Sequence, residues 1–208
     1  IPVTVDDMIH HTAAVSRILK RPFLTTDMPF MSYKVSPTQA LENATRMVQE
    51  GGAQAVKVEG GVEICEAVQR ITAAGIPVMG HLGLTPQSVH QTGGYRVQGK
   101  SDDEAKQLLA DARALQDAGV FSLVLELVPA ALAEEVTKQL DVPTIGIGAG
   151  AACSGQVLVL QDMLGFDNSF KPKFLKRYAD LDQLVTKALN EYHQDVMERQ
   201  FPGEEHSY

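Results

Sequence analysis

Apolar, strand-like runs and amphipathic, helix-like segments alternate along almost the whole chain, and this rhythm narrows the fold more than any other feature. The strand-like runs are "PFLTTD" (22–27), "AVKVEG" (55–60), "IPVMGHLG" (76–83), "FSLVLELV" (121–128), "VPTIGIGAG" (142–150) and "QVLVL" (156–160). Between them lie segments with helix signals. A stretch over roughly 5–20 opens the chain, and Ser36 with Pro37 behind it starts a second helix that stops at Gly51-Gly52. A third covers about 62–74. Ser101 with Glu104 is a capping box that opens a fourth, ending at Gly119. Pro129 opens a fifth, which ends near Leu140, and an amphipathic tail covers about 173–198. The stretch 84–100 reads as a long loop. Strands alternating with helices at about thirty residues per unit specify parallel βαβ architecture. The runs are apolar on both faces, as strands covered by helices need to be. An open doubly wound sheet and a barrel both satisfy this pattern.

The polar residues separate the two. Asp27, Glu59, His81 and Glu126 each stand at or near the C-terminal end of a different strand-like run. An open sheet gathers its functional groups at one switch point, whereas a (β/α)8 barrel collects them from the ends of several strands. The distribution favours the barrel. "AVKVEG" adds a second charge, because Lys57 and Glu59 are two apart and emerge on one face of their strand.

These residue types carry a definite chemistry. Asp27 and Glu59 are hard oxygen donors of the kind Mg²⁺ takes, one or two carboxylates with waters or substrate oxygens completing the shell. Glu126, flanked by Leu123, Val124, Leu125, Leu127 and Val128, is a candidate proton-abstracting base. Lys57 beside the cation could stabilise an enolate oxygen. The structural alternatives stay open at this level. Lys57 and Glu59 could form a strand-end ion pair, Asp27 before Met28-Pro29 could be a turn residue, and His81 between glycines could be structural. "GIGAG" (146–150) could cradle an anion through backbone N–H groups or simply pack closely. His10-His11 on the opening helix read as a solvated or packing pair.

Composition excludes other classes. A net charge of −8 leaves no basic face for nucleic acid. No apolar run is long enough to span a membrane, and the two cysteines, Cys65 and Cys153, match no disulfide or metal framework. A cytoplasmic, disulfide-free protein is the expectation.

Several stretches, taken together, resemble one family: "PVTVDDMIHHTAAV", "DMPFMSY", "AVKVEGG", "GHLGLTPQSV" with "GGYRVQGK", "LVLELVP", "IGIGAG" and the tail "PGEEHSY". They are similar to ketopantoate hydroxymethyltransferases over residues 1–208. The resemblance implies an α/β TIM (β/α)8 barrel of the phosphoenolpyruvate/pyruvate type, assembled as a decamer. It implies hydroxymethyl transfer from 5,10-methylenetetrahydrofolate to 3-methyl-2-oxobutanoate. On its motifs Asp27 and Glu59 fall at Mg²⁺-ligating positions. Lys57, Asp27 and His81 fall on the substrate side, and Glu126 falls at the proton acceptor. The family's chain also carries two earlier βα units and a Gly-Asp-Ser motif that supplies a third ligand and a serine contact. This chain begins at Ile1, after them. Residues 1–172 are therefore expected to hold six of eight units, with a helical tail over 173–208. Two competing expectations remain: another Mg²⁺-dependent oxoacid lyase or mutase, and a non-catalytic fragment or complementing subunit.

Overall fold

The computed structural model describes residues 1–208, the side chains of Gln91 and Thr92 excepted. The chain forms two compact units, Ile1–Val157 and Leu158–Tyr208. In the first, six parallel strands run in strict chain order: β1 Thr25–Asp27, β2 Ala55–Glu59, β3 Val78–Gly83, β4 Ser122–Glu126, β5 Thr144–Ile147 and β6 Gly155–Gln156. A doubly wound sheet must reverse its strand order at a switch point. This sheet does not reverse, so it is a curled parallel sheet of the half-barrel kind.

The helices form where the sequence provides caps. Helix α1, Val5–Ser16, starts in a complete Thr4/Asp7 capping box, and α2, Pro37–Gln49, starts from the Ser36 side chain with Pro37 in its first turn. A 3₁₀ turn, Val62–Ile64, leads into α3, Cys65–Ala73, and α5, Asp102–Asp117, opens in the Ser101/Glu104 box. Helix α6 is Ala130–Gln139. Between β3 and α5 the stretch read as loop holds a 3₁₀ turn, Pro86–Ser88, and a short helix α4, Val89–Thr92. Pro86 supplies the preset φ that starts the turn, and Gly93 in the left-handed region stops the helix.

"QVLVL" is a correction. Only Gly155 and Gln156 pair with β5, and the run is then taken up by Val159 as N-cap and by α7, Leu160–Leu164. Gly165, left-handed, closes that helix. Val157, Val159 and Leu160 are exposed, so their apolar character does not mark a buried strand. In the second unit the tail helix, α8, spans Leu181–Met197, shorter than the amphipathic pattern promised, and a 3₁₀ turn Glu204–His206 lies near the end.

The core lies between the sheet's outer face and α2, α3, α5 and α6, with Val56, Val58, Leu123 and Leu125 from the strands fully covered. Gly80 makes room for Leu123, since a Cβ there would sit 2.9 Å from Leu123 Cδ1. Neighbours packed that closely cannot collapse far into a void. Leu123→Ala is therefore expected to cost about 3 kcal/mol or more in urea unfolding, and a loss under about 1 kcal/mol would mean this face is not the packed core.

Candidate functional site

Register puts the polar residues on the opposite face from that core. In a parallel pair, residues in register share a face, and residues two apart on a strand share it too. Asp27 is in register with Lys57, Glu59 with His81, and Gly83 with Glu126. Lys57 and Glu59 are two apart, as are His81 and Gly83. Asp27, Lys57, Glu59, His81 and Glu126 therefore emerge on one face, contributed by four neighbouring strands. Asp27, Glu59 and Glu126 are the last residues of their strands, but His81 is not terminal: β3 continues to Gly83.

The side chains meet as an ordered chain of charges. The Lys57 ammonium pairs with Asp27 Oδ1 and lies 3.3 Å from His81 Nδ1. An ammonium can only donate, so Nδ1 accepts from it in the tautomer that carries the ring proton on Nε2, whereas a proton on Nδ1 faces Glu59 instead. Nε2 lies 3.2 Å from Glu126 Oε2, close but not aligned as a hydrogen bond, and it is buried without a hydrogen-bond partner among the described residues. Glu59 Oε1 is 3.6 Å from His81 Nδ1, and its Oε2 accepts from the Gln87 backbone N–H at 3.0 Å. Glu59 and His81 are buried, while the Asp27 side chain is half-exposed. Burial works to raise the Glu59 pKa. His81, the Lys57 charge and the Gln87 N–H outweigh it and hold this carboxyl below its ordinary value, so Glu59 is ionised at neutral pH. The strand-end ion pair that Lys57 and Glu59 could have formed is not a direct contact. Lys57 pairs across to β1 instead.

The end of β4 is unusual in its backbone. Leu127, directly after Glu126, has φ 48°, a left-handed conformation rare for a bulky residue. Its N–H donates to Ile147 O and its carbonyl accepts from Gln98 N–H, which hold it there. Gly83 is required alongside, because a Cβ there would run into the Glu126 carbonyl. Strain of this kind, held by its surroundings, is typical of functional positions.

Two residues that the strand-end reasoning did not single out join the site. Tyr33, buried, bonds the Glu59 backbone through its hydroxyl, and Gln87 bonds Tyr33, Met28 and Glu59. The "GIGAG" segment shows the close-packing behaviour, with a Cβ at Gly150 meeting Ala130 and one at Gly146 lying 3.0 Å from Cys153 Sγ. His10 and His11 pack edge to face at 5.5 Å on α1.

The chemistry of the set is compatible with a divalent cation. Asp27 and Glu59 offer hard oxygens from adjacent strands, and among the described residues the buried Glu59 carboxylate has no direct ammonium or guanidinium partner. No cluster of three or more His, Cys, Asp or Glu forms a metal cage among the described residues.

Comparisons with known proteins converge. The sequence profile of ketopantoate hydroxymethyltransferase matches residues 1–204. The 3-methyl-2-oxobutanoate hydroxymethyltransferase of Thermoanaerobacter sp. strain X514 is 56% identical over 208 residues, which cover all of this chain and 76% of that protein. That of Carboxydothermus hydrogenoformans is 58% identical, covering all of this chain and 75% of that one. Among solved structures, a Burkholderia cenocepacia protein assigned as a lyase/mutase superposes with a TM-score of 0.54 at 16% identity, over 97% of this chain and 69% of that one. Orotidine 5'-monophosphate decarboxylase of Methanocaldococcus jannaschii gives 0.51 at 11% identity, over 74% and 72%. At those identities the superpositions speak to the fold alone. No helix among the described residues is long and apolar enough to cross a membrane.

Proposed function

The chain belongs to the ketopantoate hydroxymethyltransferase family, and from that premise we infer that it transfers a hydroxymethyl group from 5,10-methylenetetrahydrofolate to 3-methyl-2-oxobutanoate, giving 2-dehydropantoate for pantothenate synthesis. The observation that carries this reading is the convergence of Lys57, Glu59, His81 and Glu126 on one sheet face, with the His81 ring 3.6 Å from Glu59 and 3.2 Å from Glu126. Proton removal next to a carbonyl needs a base on one side of the substrate and positive charge on the other, and this set supplies both.

Asp27 and Glu59 would hold Mg²⁺, which when bound polarises the oxoacid's keto oxygen and so acidifies C3. The remaining work falls to the chain's own groups. Glu126 takes the C3 proton onto its carboxylate. The Lys57 ammonium faces the oxygen on which negative charge develops, and Asp27 and His81 hold that ammonium in place through the contacts described. His81 places Nε2 3.2 Å from Glu126 Oε2, beside the carboxylate that takes the proton. C3, now nucleophilic, forms its new bond to the methylene carbon of the folate while both C–N bonds to that carbon break. One water gives its oxygen to the new hydroxyl and its two hydrogens to the nitrogens of the departing tetrahydrofolate, and the proton held on Glu126 is returned to the new alkoxide.

The finer architecture follows the same premise. The six strands in chain order form the arc of a (β/α)8 barrel of the phosphoenolpyruvate/pyruvate type. Coverage of 76% of the Thermoanaerobacter relative supports assigning two further βα units to the whole enzyme. A decameric assembly and a cytoplasmic location accompany this reading as proposals. The purified protein supplied with Mg²⁺, 3-methyl-2-oxobutanoate and methylenetetrahydrofolate is expected to form 2-dehydropantoate, and to form none when the folate is left out. Oxoacid consumption that is independent of the folate would replace this reading with a lyase or mutase.

A further inference from the structure

The parallel ladder between β1 and β2 is broken at the site. Up to Asp27 the ladder is regular, and Met28 N–H still donates to Lys57 O at 2.9 Å. The next rung of a parallel ladder would run from Glu59 N–H to Met28 O. That rung is replaced by a relay of two side chains. Glu59 N–H donates to the Tyr33 hydroxyl oxygen at 3.0 Å, and Tyr33 O–H donates to Gln87 Oε1 at 2.9 Å. Gln87 Nε2–H then donates to Met28 O at 2.8 Å.

The orientation of the relay is fixed by chemistry. A carbonyl only accepts, so the NH₂ of Gln87 must face Met28 and its Oε1 must face Tyr33. The hydroxyl hydrogen then points to Gln87, leaving the hydroxyl lone pairs to the Glu59 N–H. The same hydroxyl lies 3.1 Å from the Glu59 carbonyl, a second acceptor competing for its one hydrogen. Tyr33 is 1% exposed, and the full relay lies where a missing bond would leave buried backbone groups unpaired.

Gln87 makes a third contact, and it is the informative one. Its backbone N–H donates to Glu59 Oε2 at 3.0 Å. One residue therefore holds the chain next to Asp27, through Met28, and the carboxylate of Glu59 directly. We propose that Gln87, acting with Tyr33, is the positioning residue of the Asp27–Glu59 pair: the relay wedges β1 from β2 and sets the spacing of the two carboxylates for a divalent cation. The role rests on the reading of Asp27 and Glu59 as cation ligands. It goes further in assigning the spacing to the segment after β3, which carries neither ligand. Gln87 would thus tie the Pro86–Ser88 turn to the geometry of a site two strands away.

The test uses the full chain and Mn²⁺ as the probe, with free Mn²⁺ read by electron paramagnetic resonance and unfolding midpoints recorded in parallel. Gln87→Leu keeps the side-chain volume and the backbone N–H but removes both relay bonds. Its Mn²⁺ Kd is expected to rise about 10- to 100-fold, the usual cost of losing a group that orients a metal ligand. Gln87→Glu gives the decisive sign. It keeps an acceptor for Tyr33, offers no donor to Met28 O, and adds negative charge near the site. Simple electrostatics would tighten Mn²⁺ binding, whereas loss of the wedge weakens it, and weakening is expected. Tyr33→Phe, which removes only the hydroxyl, serves if Gln87→Leu does not fold, and should weaken Mn²⁺ binding in the same direction. Variants that fold and bind Mn²⁺ within twofold of the parent, or a tighter Gln87→Glu, overturn the positioning role while leaving the cation reading intact. A parent protein that binds no Mn²⁺ overturns both.

Discussion

Glu126→Gln is expected to lower the rate of C3 deuterium exchange into 3-methyl-2-oxobutanoate by about 10³-fold, within the range by which a positioned general base accelerates proton transfer. The substitution keeps shape and hydrogen-bonding capacity but removes the ability to take a proton. Glu126 ends β4, its side chain is 16% exposed, and its neighbour in register is Gly83, so a side chain of the same size fits without rearrangement. The glutamine side chain can still face His81 Nε2, and the left-handed Leu127 behind it keeps its bonds to Ile147 and Gln98. The unfolding midpoint should therefore move little, which separates a chemical loss from a folding one. Exchange is the right readout because it reports proton removal without requiring the folate. Undiminished exchange in a folded Glu126→Gln protein would assign the base elsewhere.

What the sequence revealed of this site, and what it hid, follows from how each residue is held. Asp27, Glu59 and Glu126 could be singled out because a carboxylate at the end of an apolar strand is costly to bury unless paired, protonated or metal-bound. Asp27 and Glu59 also had structural readings, as a turn residue and an ion-pair partner. Strand order was legible through the βαβ rhythm, and the unreversed order of the sheet then decided between barrel-like and doubly wound forms. "QVLVL" misled because apolar alternation cannot distinguish a buried strand from a segment that caps a short helix and stays exposed. The Lys57–Glu59 ion pair, one of the structural alternatives, does not form as a direct contact. Residues two apart share a face, but the register partner Asp27 across the ladder is nearer than the strand neighbour. Tyr33 and Gln87 were not legible at all from strand ends. They act on backbone groups through a tertiary contact 54 residues apart, and no periodicity carries that information.

Lys57→Met should separate the two electrostatic duties of the site. In the folded chain the ammonium is the one cation within the ring of Asp27, Glu59, His81 and Glu126 among the described contacts, and it touches Asp27 and His81 directly. Methionine matches its length and lets the stem pack, so the fold is expected to persist. With the ammonium gone, nothing but the bound cation opposes the charge that develops on the substrate oxygen. A fall of about 10²- to 10³-fold in kcat/KM is expected, comparable to removing one preorganised donor from a developing oxyanion. Cation binding should respond in the opposite sense. Asp27 loses the partner that neutralised it, so the two carboxylates together attract a divalent ion more strongly, and Mn²⁺ should bind at least as tightly as to the parent. Gln87→Leu predicts weaker Mn²⁺ binding, and Lys57→Met predicts undiminished binding with lost turnover. Lys57→Arg should not restore activity, because the planar guanidinium cannot occupy the place of a compact ammonium between Asp27 and the His81 ring. Turnover of Lys57→Met within threefold of the parent would show that Lys57 only balances the charge of Asp27. Loss of turnover together with loss of Mn²⁺ would show that it holds the strand ends in place, and in either case the oxygen of the substrate would need another partner.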